Sequence, residues 1–443
     1  MRRFVLLVLL LTFVGVLSPT EAVAKRREKA RQEVLLHSRG YYKDVFMDGG
    51  IALTSRTTLP AIQFLGLKME FFASAKGESA VQKNISRQTE IFCGSEYDSN
   101  GWLLYPDGMP RFRMIYVCGG SAVKHARSMG DKAADNIRKY VANGGSYLGT
   151  CAGAFIASKG AMDHKGKIHN SDIYWDLWHG FAHRSRLTKS SAAMILERRS
   201  PLLRYFDFGG DNKIDSVRHN GGCYAYDGGA DGLGAGTEPL TRYAFKNTDK
   251  VKIDGRVSSW AYKERAQSGR VVLCGSHPEG VGQGEKLEYM SAMMLYAMDG
   301  NPQPTIKGEL QVGVEREMNK HTKDNDPDYT RVGDRQYHHF AFDVPSKCKK
   351  LTIKLAGYKG EDKFNLTLCA KRGNMAYHDN TLLKDVSSGC NKRLVIKNPK
   401  SGRWYVSVFC ENTVSASVGK FGTYYRGNKS VLNGVPYKIS IEY

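Results

Sequence analysis

The sequence predicts an open, mostly parallel α/β sheet covered by helices, followed by a small all-β sandwich. Three observations carry this. Between residues 41 and 300 short apolar runs alternate with helical stretches. Several runs contain no polar break, as strands buried on both faces require. Beyond a polar, proline-bearing stretch the apolar period then switches to two.

The elements follow in order. Asp44-Val45-Phe46-Met47 runs into Asp48-Gly49-Gly50, a strand ending in a loop. Met114-Ile115-Tyr116-Val117-Cys118 is an apolar run closed by Gly119-Gly120. Residues 131–141 have helical spacing, with Ala134, Ile137 and Val141 on one side and Asn143-Gly144-Gly145 as the stop. Ser146-Tyr147-Leu148-Gly149 is the next strand and 152–158 the next helix. Val271-Val272-Leu273-Cys274-Gly275 is a late strand, and 285–298 a closing amphipathic helix. Residues 301–335 are polar, carry Pro302, Pro304 and Pro327, and read as a linker ordered only in part. Alternating runs at 339–344, 351–355, 365–368, 393–396, 404–408 and 437–441 then predict the sandwich.

Composition excludes some classes. With 41% hydrophobic and 25% charged residues, the 443-residue chain is neither a disordered polymer nor a polytopic membrane protein. Its 65 Lys plus Arg against 44 Asp plus Glu give +21, a charge that attracts acidic partners but says nothing about fold. Arg2 and Arg3, the apolar run 4–16 and Ala22-Val23-Ala24 have the order of a secretory signal peptide cleaved after Ala24. The expected organisation is signal peptide 1–24, basic segment 25–40, catalytic domain 41–302, linker 303–335 and sandwich 336–443. The expected location is secreted or periplasmic, with no stable membrane insertion after cleavage; an uncleaved anchor is the alternative. The basic run 25–31 reads as a solvated mature N-terminus. Cys348, Cys369, Cys390 and Cys410 form an even set with three ways of making two disulfides. Cys93, Cys118, Cys151, Cys223 and Cys274 form an odd set, which leaves room for a free thiol.

Gly149-Thr150-Cys151-Ala152-Gly153 places a thiol between a strand and a helix, with a glycine two residues to either side. That is the nucleophile-elbow arrangement: a turn too sharp for large neighbours, which lifts the nucleophile to the carboxyl edge of the sheet. A helix start there offers N–H groups that favour a thiolate and can hold an oxyanion. A buried structural cysteine is the competing reading. His277-Pro278-Glu279 follows the late strand and supplies a base with a carboxylate to orient it.

These segments resemble the class I glutamine amidotransferase-like superfamily, whose sheet is flavodoxin-like. The likeness is closest to the domain at the N-terminus of fungal-type biotin–protein ligases and in free-standing bacterial proteins. It rests on Val117-Cys118-Gly119-Gly120, Ile137-Arg138-Lys139-Tyr140-Val141, the run from Gly144 to Ala154, Asn220-Gly221-Gly222 and His277-Pro278-Glu279. The resemblance implies a triad of Cys151, His277 and Glu279. It further implies an oxyanion site at Gly119 and Gly120 with the Ala152 N–H, and a pocket bordered by Asn220, Gly221 and Gly222. No biotin-ligase catalytic segment and no synthetase domain follow, so biotin transfer and glutamine-fed synthesis are not expected. The expected function is hydrolysis of an amide or peptide bond through an acyl-enzyme, without cofactor or metal. The last hundred or so residues resemble the bacterial pre-peptidase C-terminal domain, through the run 337–345, residues 362–368, the run 398–406 and the final strand. This resemblance implies a targeting or substrate-holding role.

Weaker signals have bland readings. His164, His169, His179 and His183 are close in sequence but not at metal-ligand spacing on a helix face. Trp175 and Trp178 fit core packing better than a substrate platform. The acidic loops 207–215 and 227–231 read as solvated turns. Two rival functions remain: a catalytically dead secreted protein that grips an acidic cell-surface polymer, and an amidase subunit that needs a partner. No specific nucleic-acid partner is expected.

Overall fold

The computed structural model describes residues 18–36, 40–48, 59–72, 93–94, 98–169, 172–228, 232–360, 363–419 and 422–443. The apolar run 4–16 lies outside the described residues.

The first part of the chain opens with α1 (Pro19–Leu36), β1 (Lys43–Asp48), α2 (Pro60–Phe64), β2 (Met69–Phe72), β3 (Phe112–Val117), α3 (Ala122–Met129), α4 (Asp131–Ala142), β4 (Ser146–Thr150) and α5 (Ala152–Ala157). It continues through β5 (Ser158–Met162), β6 (Ile168–His169), β7 (Trp178–Arg184), β8 (Ser190–Leu196), β9 (Lys213–His219), β10 (Cys223–Ala225), β11 (Glu238–Ala244), β12 (Val257–Tyr262) and β13 (Val271–Cys274), and closes on α6 (Gly284–Asp299). Nine strands form one sheet in the order β2-β1-β3-β4-β13-β12-β11-β8-β9. From β2 to β13 neighbours are parallel; from β13 to β9 they are antiparallel. The expectation of a mostly parallel sheet is therefore corrected to an evenly mixed one. The antiparallel half escaped the sequence reading because its strands carry exposed polar residues and register shifts. A smaller sheet, β10-β7-β5-β6, lies beside it.

β3 shows why the parallel half is apolar throughout. Phe112, Ile115 and Val117 join one core with Ile137 of α4 and Ala154 of α5. Met114 and Tyr116 join the other with Val34 of α1 and the methionines of α6. Covered on both faces, such a strand has no solvent side to mark with polar residues.

The second part comprises β14 (Arg316–Met318), β15 (Tyr337–Val344), β16 (Lys350–Gly357), β17 (Leu366–Arg372), β18 (Lys384–Asp385), β19 (Lys392–Lys397), β20 (Gly402–Cys410), β21 (Val414–Gly419), β22 (Gly422–Gly427) and β23 (Tyr437–Glu442). Sheets β14-β23-β16-β19 and β15-β20-β17-β18 build the sandwich, with β21 and β22 as a hairpin.

Three expectations change. The supposed linker belongs to the sandwich: β14 pairs with β23, and Glu309, Val312 and Val332 bridge to Ala341, Ile441 and Val435. Its prolines suit a strand-poor edge rather than a tether. The basic segment is not merely solvated: α1 runs unbroken through Ala24, buries Ala30 and Val34, and sends Arg27 to Asp207 and Arg31 to the Tyr205 carbonyl, each at 2.6 Å. All nine cysteines are free thiols, so the expected disulfides are not formed. Cys410 lies opposite Leu366 and Cys369 opposite Ser407, three positions apart along β17 and β20. That offset is about 10 Å and turns the two side chains to opposite faces.

The parts meet through buried charge. Arg111 contacts Asp334 at 2.5 Å, both fully buried, and its guanidinium lies 4.0 Å from the Trp102 ring centre. Asp107 receives Lys307 Nζ at 2.6 Å and Gln336 Nε2 at 2.7 Å, with His338 Nε2 at 3.6 Å.

Candidate active site

Cys151 stands between β4 and α5 with φ +48° and ψ −103°. Side-chain-bearing residues avoid this region, so the surroundings must enforce it. The Cys151 N–H donates to the Cys274 carbonyl at 2.8 Å, and its carbonyl accepts from the Ala154 and Phe155 N–H groups at 3.1 Å. The flanking glycines are set by close approach. A Cβ on Gly149 would stand 2.6 Å from the Gly153 carbonyl, and one on Gly153 would stand 2.2 Å from the Val117 oxygen. Glycine at both places is what lets β3, β4 and α5 converge on the turn.

β13 runs parallel to β4, so the chain leaves both strands at the same edge. His277 follows, its N–H donating to the Arg218 carbonyl at 2.8 Å. Its Nδ1 hydrogen-bonds Glu279 Oε1 at 2.9 Å, which leaves Nε2 for Cys151. Burial disfavours the imidazolium, but hydrogen bonds with Cys151 and Glu279 and their charge push His277 up to about 10. A Cβ on Gly119 would stand 2.2 Å from His277 Cε1 and 3.2 Å from Cys151 Cβ. The thiol and the imidazole therefore meet over Gly119, which has to be bare. Gly120 is exposed beside them with φ +138°, and Ala152 opens α5, where an N–H has no intrahelical acceptor.

The Asn220-Gly221-Gly222 turn borders the same loop. A Cβ on Gly222 would stand 1.8 Å from the Gly275 oxygen. Asn220 Oδ1 accepts from the Lys189 N–H at 3.0 Å, which ties the turn to the loop between β7 and β8.

Sequence reading missed the layer beneath. His219 is fully buried, with Nε2 2.6 Å from Ser185 Oγ and Nδ1 2.7 Å from Ser276 Oγ. Burial, helped by the charge of His277, lowers His219 to about 4, so it stays neutral. Tyr243 adds a hydroxyl 3.1 Å from Ser276 and donates to the Cys223 carbonyl at 2.8 Å. No local motif marks these residues; only His219 standing next to Asn220 hinted at them.

The other singled-out residues do not converge. His169 pairs with Asp163, His179 with Asp176, and His183 stacks on Tyr224. Trp175 and Trp178 are core residues. A cavity of about 560 Å³ lies at the opposite, amino edge of the sheet, lined by Arg113, Asn301 and Tyr377 among others, and holds none of the predicted site residues.

Residues 107–173 match the family model described as biotin-protein ligase, N terminal. The matched stretch contains Cys151 but stops before His277. No curated protein matches the chain. Among solved structures, the pre-peptidase C-terminal domain of a collagenase from Bacillus anthracis aligns at 13% identity and a TM-score of 0.20, covering 32% of this chain and 100% of that one. A GH42 beta-galactosidase, Gan42B, aligns at 8% identity and a TM-score of 0.26, covering 82% of this chain and 40% of that one.

Proposed function

We propose that the protein is a secreted cysteine hydrolase of amide or peptide bonds. We read its parallel half-sheet as the flavodoxin-like, class I glutamine amidotransferase-like scaffold. The observation that carries the reading is His277 set between Glu279, at 2.9 Å, and a cysteine held at a strained strand–helix turn. A merely structural cysteine gives no reason for the strain, for the bare Gly119 beneath it, or for a histidine oriented by a buried carboxylate.

In the proposed cycle His277 takes the Cys151 thiol proton as the sulfur attacks the carbonyl carbon, and the oxyanion is held by N–H groups at Gly120 and Ala152. The C–N bond breaks, His277 gives its proton to the leaving amine, and a thioester remains. Water then attacks the thioester as His277 takes its proton, releasing the acid and restoring the thiol. Glu279 fixes the ring orientation throughout. The sandwich is read as a targeting or substrate-holding module.

Cys151→Ala and His277→Ala should each lower turnover by on the order of 10³-fold in an amide-substrate screen. Near-normal turnover in either variant would sink the reading. Activity should also fall as pH rises through about 10, because deprotonated His277 can no longer supply the leaving group.

A further inference from the structure

Two arginines flank the site with no carboxylate partner among the described residues. Arg218 lies directly opposite His277 in an antiparallel bridge. Residues paired in this way project to the same face, with Cβ atoms about 5 Å apart. Arg184 lies opposite Cys223 in the β7–β10 pairing, and the Cys223 thiol is within electrostatic reach of Cys151. The charge of Arg184 also reaches the Tyr174 hydroxyl, which feels Cys223 as well. Both arginines are exposed. The loop between β7 and β8 adds exposed Arg186 and Lys189, each held at positive φ, and is tied to the Asn220-Gly221-Gly222 turn by the Gly221 N–H donating to the Leu187 carbonyl.

Resting on the hydrolase reading above, we propose that the substrate is an acidic amide: an anionic group, carboxylate or phosphate, sits within a few ångströms of the scissile bond and is received by Arg184 and Arg218. Planar guanidinium forks suit either anion. Unpaired cations at the rim of a partly enclosed site also raise the local concentration of such substrates. The overall charge of +21 says nothing of where cations stand; the strand register sets Arg218 opposite His277 and Arg184 opposite Cys223.

The test compares alkylation of Cys151 by iodoacetate, an anion, with alkylation by neutral iodoacetamide, on the full chain with mass-spectrometric site assignment. Protonated His277 attracts an anion by itself, so the decisive quantity is how the rate ratio changes in variants. Arg184→Gln and Arg218→Gln should each lower the iodoacetate-to-iodoacetamide ratio by about threefold, as removal of one nearby cation predicts in a mostly aqueous setting. Arg218→Lys should retain most of the ratio, and high salt should compress it in the wild type. Iodoacetamide rates within about twofold of wild type would show that the thiol and the fold are intact. A ratio unchanged in Arg184→Gln/Arg218→Gln, with rapid iodoacetamide labelling, overturns the acidic-substrate proposal and leaves the triad standing. Labelling of Cys151 by neither reagent would remove the triad reading and this proposal with it. Protection of Cys151 by succinate assigns a carboxylate, and protection by inorganic phosphate a phosphate.

Discussion

His277 with Glu279 at the sheet edge, and Arg111 with Asp334 under the sandwich, are both ion pairs withdrawn from water, yet their settings are opposite. Arg111 and Asp334 are sealed, and the guanidinium is further wrapped by the rings of Trp102, Tyr42 and Tyr105. At the sheet edge the histidine keeps some exposure, the cysteine beside it sits at φ +48°, and bare Gly119 clears the space between them. Burial of charge is common to both regions and does not by itself mark chemistry. Glycine clearance and residual access distinguish the sheet-edge set, proposed as reactive, from the sealed one.

The largest effect that would sharpen this contrast is on stability. Asp334→Ala leaves Arg111 buried without its partner and should cost about 3–5 kcal/mol in urea unfolding. Replacing both, Arg111→Met with Asp334→Leu, should recover most of that loss. If the single variant is as stable as wild type, the pair is not the clasp described.

Gly119→Ala should act the other way round. Displacing His277 by about 1 Å should reduce turnover by on the order of 10²-fold, while the thermal midpoint moves by only a few degrees. A Gly119→Ala variant that unfolds but, while folded, turns over normally would erase the distinction between the regions.

The last effect, read in a pH profile, concerns Asp98, beside the Arg111 pair. Burial, only partly offset by Arg111, raises Asp98 to about 7. A carboxyl raised in the native state is ionised more readily when unfolded, so its contribution to stability is lost as pH climbs from about 4 to about 7. Asp98→Asn should flatten that part of the stability–pH curve and show its gain near pH 8, not pH 4. An identical slope in the variant would mean that Asp98 does not titrate there.

The sequence made some of this legible for definite reasons. β3, β4 and β13 were readable because double burial leaves unbroken apolar runs, and their observed bounds differ from the expected ones by one or two residues. β7 and β9 were not, since the buried positions of β7 fall on small Gly180 and Ala182 with Phe181 on the other face, and Asp215-Ser216 puts two exposed residues in succession in β9. β14 was hidden among prolines and charges because it needs only three residues to pair with β23. Cys151, His277 and Glu279 were visible because their chemistry restricts residue type at fixed local spacing. His219, Arg184 and Arg218 were not: each meets a neighbour far away in sequence, His219 through Ser276 and the arginines through strand register.

The seam between the two parts has a mechanical consequence. A sandwich hung on a loose tether would let the Cys151 edge range around any anchoring point, like an animal on a leash. With β14 stitched into the sandwich and Arg111 and Asp107 locked beneath it, the sandwich surface and Cys151 keep a fixed separation. If the proposed hydrolase and substrate-holding roles are right, the molecule works as a caliper: a polymer held at the sandwich would present one stretch of its length to the thiol, and cleavage positions should be spaced rather than scattered.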